Sequence, residues 1–186
     1  MAALPYSIGG TPVFSRNDRY SLHVLQGGEH IDVFARERTA AALSEPGPHG
    51  VRVVIPIGAD SIELIYRGKA MPRWAETVLR SLPERWGSYP GWDGHAAVPT
   101  HRRFVVDLLN TLTEVMTDDS PVPQITALPD GGAQAEWHGF ENDLEIVVQA
   151  SESPSYYFFN RVTEDEEENV MEGNEPRVRA LIGNLR

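Results

Sequence analysis

The sequence predicts an α+β fold: mainly an antiparallel sheet meander packed by two or three amphipathic helices, with additional N-terminal strands. Strand-like runs cluster in 20–66, and apolar residues recur at three- and four-residue spacing in 72–82 and 104–116. The stretch 123–162 breaks into short strand-like runs separated by turn residues. A chain of 186 residues is long enough for one domain with a sizeable core. It divides into an N-terminal β-rich segment or subdomain, 1–70, and an α+β core, 71–186, expected to form one compact unit.

Four strands are expected first: "YSLHVLQ" from Tyr20, "IDVFARE" from Ile31, "VRVVIPI" from Val51 and "SIELIYR" from Ser61. Val51, Val53, Ile55 and Ile57 share one face, as do Ile62, Leu64 and Tyr66, which is the period of half-buried strands. Gly58 to Asp60 suits a hairpin turn, and the Pro- and Gly-rich segment Ala42 to Gly50 a surface loop or junction. Pro72 fits a helix first turn, followed by Trp74, Ala75, Val78, Leu79 and Leu82 on one stripe, with the helix ending by Pro83 to Gly87. A second helix starts after Thr100, its expected N-cap, and buries Phe104, Val105, Leu108, Leu109, Leu112 and Val115 or Met116.

Downstream, turns at Asp130-Gly-Gly132, Gly139 to Asp143 and Ser151 to Pro154 mark a meander. Ala133, Ala135 and Trp137 fall on one face together with Leu144, Ile146 and Val148, leaving Gln134, Glu136 and His138 on the other. The run Tyr156, Tyr157, Phe158 and Phe159 sends one aromatic pair to each face; the pair off the main core is either covered by the terminal helix, the favoured reading, or part of a binding surface. That helix is expected from Val178, Leu181, Ile182 and Leu185, after a mobile acidic loop, "TEDEEEN".

Twenty-seven Asp and Glu against 16 Lys and Arg give a formal charge of −11, which favours a basic partner and disfavours phosphate backbones and anionic lipids. No apolar run spans a bilayer, and the start "MAALPYSIGGTPVF" lacks a secretory pattern, so no membrane association and a cytoplasmic location are expected. Absence of cysteine removes disulfides, thiolate metal sites and cysteine nucleophiles. No HExxH, P-loop lysine, GxGxxG or GxSxG pattern occurs, so the expectation is no cofactor, no metal and no assigned catalytic residue.

Two places attract a functional reading. In "GSYPGWDGHAAVPTHRRF", Asp93, His95, His101, Arg102 and Arg103 suggest an anion-binding corner at a helix start, with the arginines orienting a small anionic ligand. The favoured structural reading makes this a rigid turn, with Trp92 dropped into the helix–sheet interface and the arginines paired with acids such as Glu84 and Asp93. Helix-dipole preference runs against His101-Arg102-Arg103 at one end and Asp118-Asp119 at the other, so compensation is expected. The second place is Glu164, Asp165, Glu166, Glu167 and Glu168, read as a partner-binding, steering element. Glu136 and His138 project together from one strand face, without a third ligand to complete a metal site.

The W-D-G-x-x-A-x-P turn at Trp92 to Pro99 and the D-G-G-x-x-x-E-W hairpin at Asp130 to Trp137 resemble a set of small uncharacterised bacterial proteins. The resemblance covers roughly Leu82 to Val148. It implies an accessory role in mobile or defence-associated loci, antitoxin- or immunity-like, and carries over no catalytic residue. The leading expectation is a non-enzymatic protein that binds, and neutralises, a toxin or effector. The alternatives are an enzyme or binding protein for a small anionic ligand at the Asp93–Arg103 corner, and an acidic mimic of nucleic acid.

Overall fold

The computed structural model describes residues 20–26, 29–32, 51–57, 60–66, 71–85, 89–150 and 152–185. The Ala42–Gly50 loop, most of the Gly58–Asp60 turn, the end of the "IDVFARE" run and the Glu84 side chain lie outside the described residues. Strands β1 (Tyr20–Gln26), β2 (Glu29–Asp32), β3 (Val51–Ile57) and β4 (Asp60–Tyr66) pair antiparallel in the order β2-β1-β4-β3. Helices α1 (Arg73–Arg85) and α2 (Arg102–Val115) follow. The chain then builds an open antiparallel sheet in sequence order from β5 (Gln124–Ala127), β6 (Ala133–His138), β7 (Asn142–Val148), β8 (Ser155–Asn160) and β9 (Glu166–Val170). Helix α3 (Glu175–Gly183) comes last among these elements. Among the described residues, no helix is long and apolar enough to cross a membrane.

The meander expected from the turn spacing is present, and alternation fixes its faces. Ala133, Ala135, Trp137, Leu144, Ile146, Val148 and Tyr156 are buried with α2, whereas Gln134, Glu136 and His138 point away. Trp137 is 4% exposed, and its indole N–H donates to the Pro121 carbonyl at 2.9 Å, so ring burial leaves no unmet donor. Helix α2 lies against β6 and β7 and also contacts β1, β4 and α3. It buries Phe104, Val105, Val106, Leu108, Leu109, Leu112 and Val115 together with Thr111 and Thr113. Both threonine hydroxyls bond back to carbonyls of their own helix, Asp107 at 2.9 Å and Asn110 at 2.8 Å, which satisfies them without water. Arg102, Arg103, Asp107, Asn110 and Glu114 are the remaining, less buried residues of the helix.

Four local expectations are corrected. The N-cap position of α2 is His101, with no side-chain cap; its carbonyl accepts from the Phe104 N–H at 3.0 Å and its own N–H donates to the Gly131 carbonyl at 2.9 Å, so Thr100 lies one residue too early. The acidic run is largely strand: Glu166 to Glu168 belong to β9, leaving Glu164 and Asp165 in the preceding turn. Pairing with β8 overrides the poor strand propensity of glutamate. The terminal helix shares the core with Tyr156, so Tyr157 and Phe159 remain on the outer face of the sheet. Finally, Trp92 is half-buried rather than a core anchor, its N–H directed to the Val98 carbonyl of its own loop at 3.1 Å.

Candidate functional site

The two motif stretches meet in space. Val98 N–H donates to the Pro129 carbonyl and His101 N–H to the Gly131 carbonyl, each at 2.9 Å, which ties the Trp-Asp-Gly turn to the Asp-Gly-Gly turn. Within the first turn, Asp93 Oδ1 accepts from the amides of His95 at 2.8 Å and Ala97 at 3.3 Å. These amide bonds, His95 first, hold the Asp93 carboxyl below its ordinary range, against the opposing effect of burial. Within the second turn, Asp130 Oδ1 accepts from the Gly132 amide at 2.9 Å. Gly131 has φ +87°, and a Cβ there would stand 3.0 Å from the Pro99 carbonyl oxygen. Glycine therefore serves both the left-handed backbone and the close approach of the two turns.

The proposed anion corner is thus built on carboxylates and amides that already serve the turns. Asp93 is committed to main-chain donors. The His101 ring stands edge-on to Phe104, centroids 5.9 Å apart. Arg103 faces Asp107 one helical turn on, Nε to Oδ2 3.4 Å, and burial pushes the Asp107 carboxyl up while Arg103 draws it down. At the far end of α2, Asp118 and Asp119 lie in a turn beyond the C-cap Met116, and the helix-end cation comes from elsewhere: the Arg179 guanidinium of α3 donates to the Glu114 carbonyl. That contact compensates the reversed dipole pattern at the C-terminal end. Replacing Arg102 and Arg103 together by Ala is expected to leave the melting temperature nearly unchanged, because an exposed pair such as Arg103–Asp107 contributes about 0–1 kcal/mol. A phosphate-induced rise in melting temperature that vanishes in the double variant is the result that would favour an anion site instead.

Comparison with known protein families, curated proteins and solved structures returns no match. Among the described residues, a dense polar arrangement occupies the outer face of the five-stranded sheet. His138 bridges two carboxylates, Nε2 to Glu136 Oε2 at 3.0 Å and Nδ1 to Asp143 Oδ1 at 2.9 Å. Arg161 clamps Asp143 with two bonds, Nε at 2.8 Å and Nη2 at 2.6 Å. Glu136 and His138 were legible as a same-face pair; Asp143 and Arg161 were not, since they arrive through strand register and a turn. Among the described residues, no three His, Asp or Glu side chains form a group able to hold a metal ion.

Hydrogen bonds donated to Asp143 first, and then to Glu136, raise the His138 imidazole above its ordinary 6.5. A group raised on folding stabilises the fold fully below its unfolded value and loses that contribution as pH rises through the folded value. The difference in urea midpoint between the wild type and His138→Gln is therefore expected to be largest in mild acid, where the two carboxylates keep their charge, and to shrink above pH 6.5. A difference that stays constant with pH would remove the charged imidazole from the account.

Strand register aligns a row across four strands: Glu136 opposite Glu145, Glu145 opposite Tyr157, and Tyr157 opposite Glu168. The neighbouring row runs His138, Asp143, Phe159 and Glu166. Burial, followed by the nearby Glu136 charge, pushes the Glu145 carboxyl up. Tyr157 donates to Glu166 at 3.3 Å. Of the five acids expected to meet a partner, Glu166 and Glu168 face outward with this surface, and Glu167 faces inward. There it accepts from the Tyr156 hydroxyl and from Arg177 of α3, Nη2 to Oε2 2.8 Å, and Arg177 first among causes lowers its pKa. Glu164 occupies a turn with φ +58° and is exposed with Asp165.

Proposed function

We propose that this protein acts without catalysis by binding a basic protein partner through the outer face of its five-stranded sheet. The observation that carries this reading is the Glu136–Glu145–Tyr157–Glu168 row, in which two like charges face each other directly across a strand pair. Like charges opposite one another destabilise a sheet, and the Glu136 charge adds, after burial, to what raises the Glu145 carboxyl. A Lys or Arg from a partner relieves the repulsion, while Tyr157 and Phe159 supply half-buried aromatic area of the kind that anchors protein interfaces. The overall charge of −11 adds long-range steering toward a cationic surface. In keeping with the motif resemblance, the partner is a toxin or effector that this protein neutralises in the cytoplasm.

Nucleic-acid mimicry fits less well, because alternation along β9 separates Glu167 from Glu166 and Glu168 and breaks up the continuous line of charge. The test is co-expression with the product of the adjacent open reading frame, followed by hydrogen exchange on the complex. Protection is expected in β7, β8 and β9. The double variant Glu145→Lys, Glu168→Lys should fold with an unchanged or raised melting temperature and bind more slowly, with weaker salt dependence. Undiminished binding by that variant, or protection confined to 89–103, would reject the sheet face.

A further inference from the structure

Strand β9 forms one edge of the five-stranded sheet, and its main chain has a defined inward and outward side. Asn160 N–H donates to the Asp165 carbonyl at 2.9 Å, and Met171 N–H to the Pro154 carbonyl at 2.7 Å, at the two ends of the β8–β9 ladder. Antiparallel bonding alternates along a strand, so between these ends Glu167 and Asn169 turn their main-chain groups toward β8. Glu166, Glu168 and Val170 turn theirs outward. Asn174 Nδ2 takes the Val170 carbonyl at 2.9 Å. The N–H and C=O of Glu166 and Glu168 and the N–H of Val170 remain as an open ladder among the described residues. All three residues are exposed.

We infer that β9 is a docking edge for an extended, cationic segment of the partner protein, which adds to the sheet as a further antiparallel strand. The inference rests on the sheet-face reading and specifies how the partner engages it. Open edges recruit strands through main-chain bonds, and side chains at alternate positions decide which strand is accepted. Here the residues that offer the main-chain bonds also carry the selecting side chains, Glu166 and Glu168, beside the outer face. A Lys or Arg at each facing position pairs directly with them. A second copy of this chain is a poor occupant: antiparallel self-pairing centred on Glu168 sets Glu168 against Glu168, and pairing Glu166 with Glu168 likewise opposes two acids. The charge pattern that repels a copy accepts a basic strand.

The experiment uses the whole protein, isotope-labelled for NMR, and a synthetic peptide alternating lysine with threonine. A second peptide of the same sequence is N-methylated on the lysine main-chain nitrogens, which removes the ladder donors and keeps every charge. The expected result is amide shifts and slowed exchange at Glu166, Glu168 and Val170 with the first peptide, and affinity about tenfold lower or worse with the second. Glu168→Pro provides the complementary variant, since it deletes an outward N–H that β8 does not use; it should lose affinity to a similar degree, whereas Glu168→Gln loses less and mainly flattens the salt dependence. Equal binding of the two peptides, with shifts at Glu145, Tyr157 and Phe159, overturns the edge and leaves the face reading standing. Binding of neither peptide overturns both.

Discussion

Trp137→Ala is expected to lower the free energy of unfolding by about 3–5 kcal/mol, the range for truncating a fully buried indole. The ring is 4% exposed within the core of sheet and helices, and its N–H bond to the Pro121 carbonyl disappears with it, leaving that carbonyl to find water. Trp92→Ala is expected to cost much less, because its half-buried ring bonds to its own loop and lies outside the core cluster. Urea melts of the two variants decide the matter. Equal losses would place Trp92 back in the core, and a wild-type midpoint for Trp137→Ala would contradict the packing of β6 beneath α2.

Gly131→Ala carries the second large effect. A side chain at φ +87° incurs left-handed strain of about 1–2 kcal/mol. The added Cβ also crowds the Pro99 carbonyl oxygen and Val98 Cγ2, both at 3.0 Å, and overpacking of this kind costs about 1–3 kcal/mol. Gly94→Ala is the control, since its φ of +81° imposes similar strain, yet nothing lies within 4 Å of the new atom. The midpoint should fall further for Gly131→Ala than for Gly94→Ala. Exchange at the amides of Val98 and His101 should also quicken only in the former, because only there are the two turns pushed apart. Matching behaviour in the two variants would mean that backbone strain alone, and not contact between the turns, governs this region.

These effects separate what the sequence makes legible from what it hides. Alternation in "AQAEWH" and "DLEIVV" identified the buried face of β6 and β7, because burial on one face of a strand imposes a two-residue period. Helix α2 was legible for the same kind of reason, although its burial on more than one side was not: amphipathic spacing reports the first face covered and says little about contacts arriving from β1, β4 and α3. Strand β9 was hidden by its composition. Glutamate disfavours strands, and the contacts that hold this segment in one, to β8 and through Glu167 to Arg177, depend on register and on a helix ten residues away. The Arg179 contact with the end of α2 spans 65 positions and leaves no local mark. Of the candidate binding face, Glu166 and Glu168 are legible from the sequence as partner-facing acids and Glu136 and His138 only as residues sharing a strand face, while Asp143, Glu145 and Arg161 come together through the register.

The joint between the two turns also bears on how this chain can change. It is made by the amides of Val98 and His101 and the carbonyls of Pro129 and Gly131, so it depends on where the main chain runs and scarcely on which side chains decorate it. The side chains of His95 and Ala96, both exposed, can be replaced while the joint persists, whereas Gly131 and the amide-binding Asp93 and Asp130 are held by geometry. A segment carrying one turn alone, grafted from a divergent sequence, should still find its counterpart. The surface around the joint is therefore a place where new side-chain chemistry can be tried at little expense to the frame beneath it.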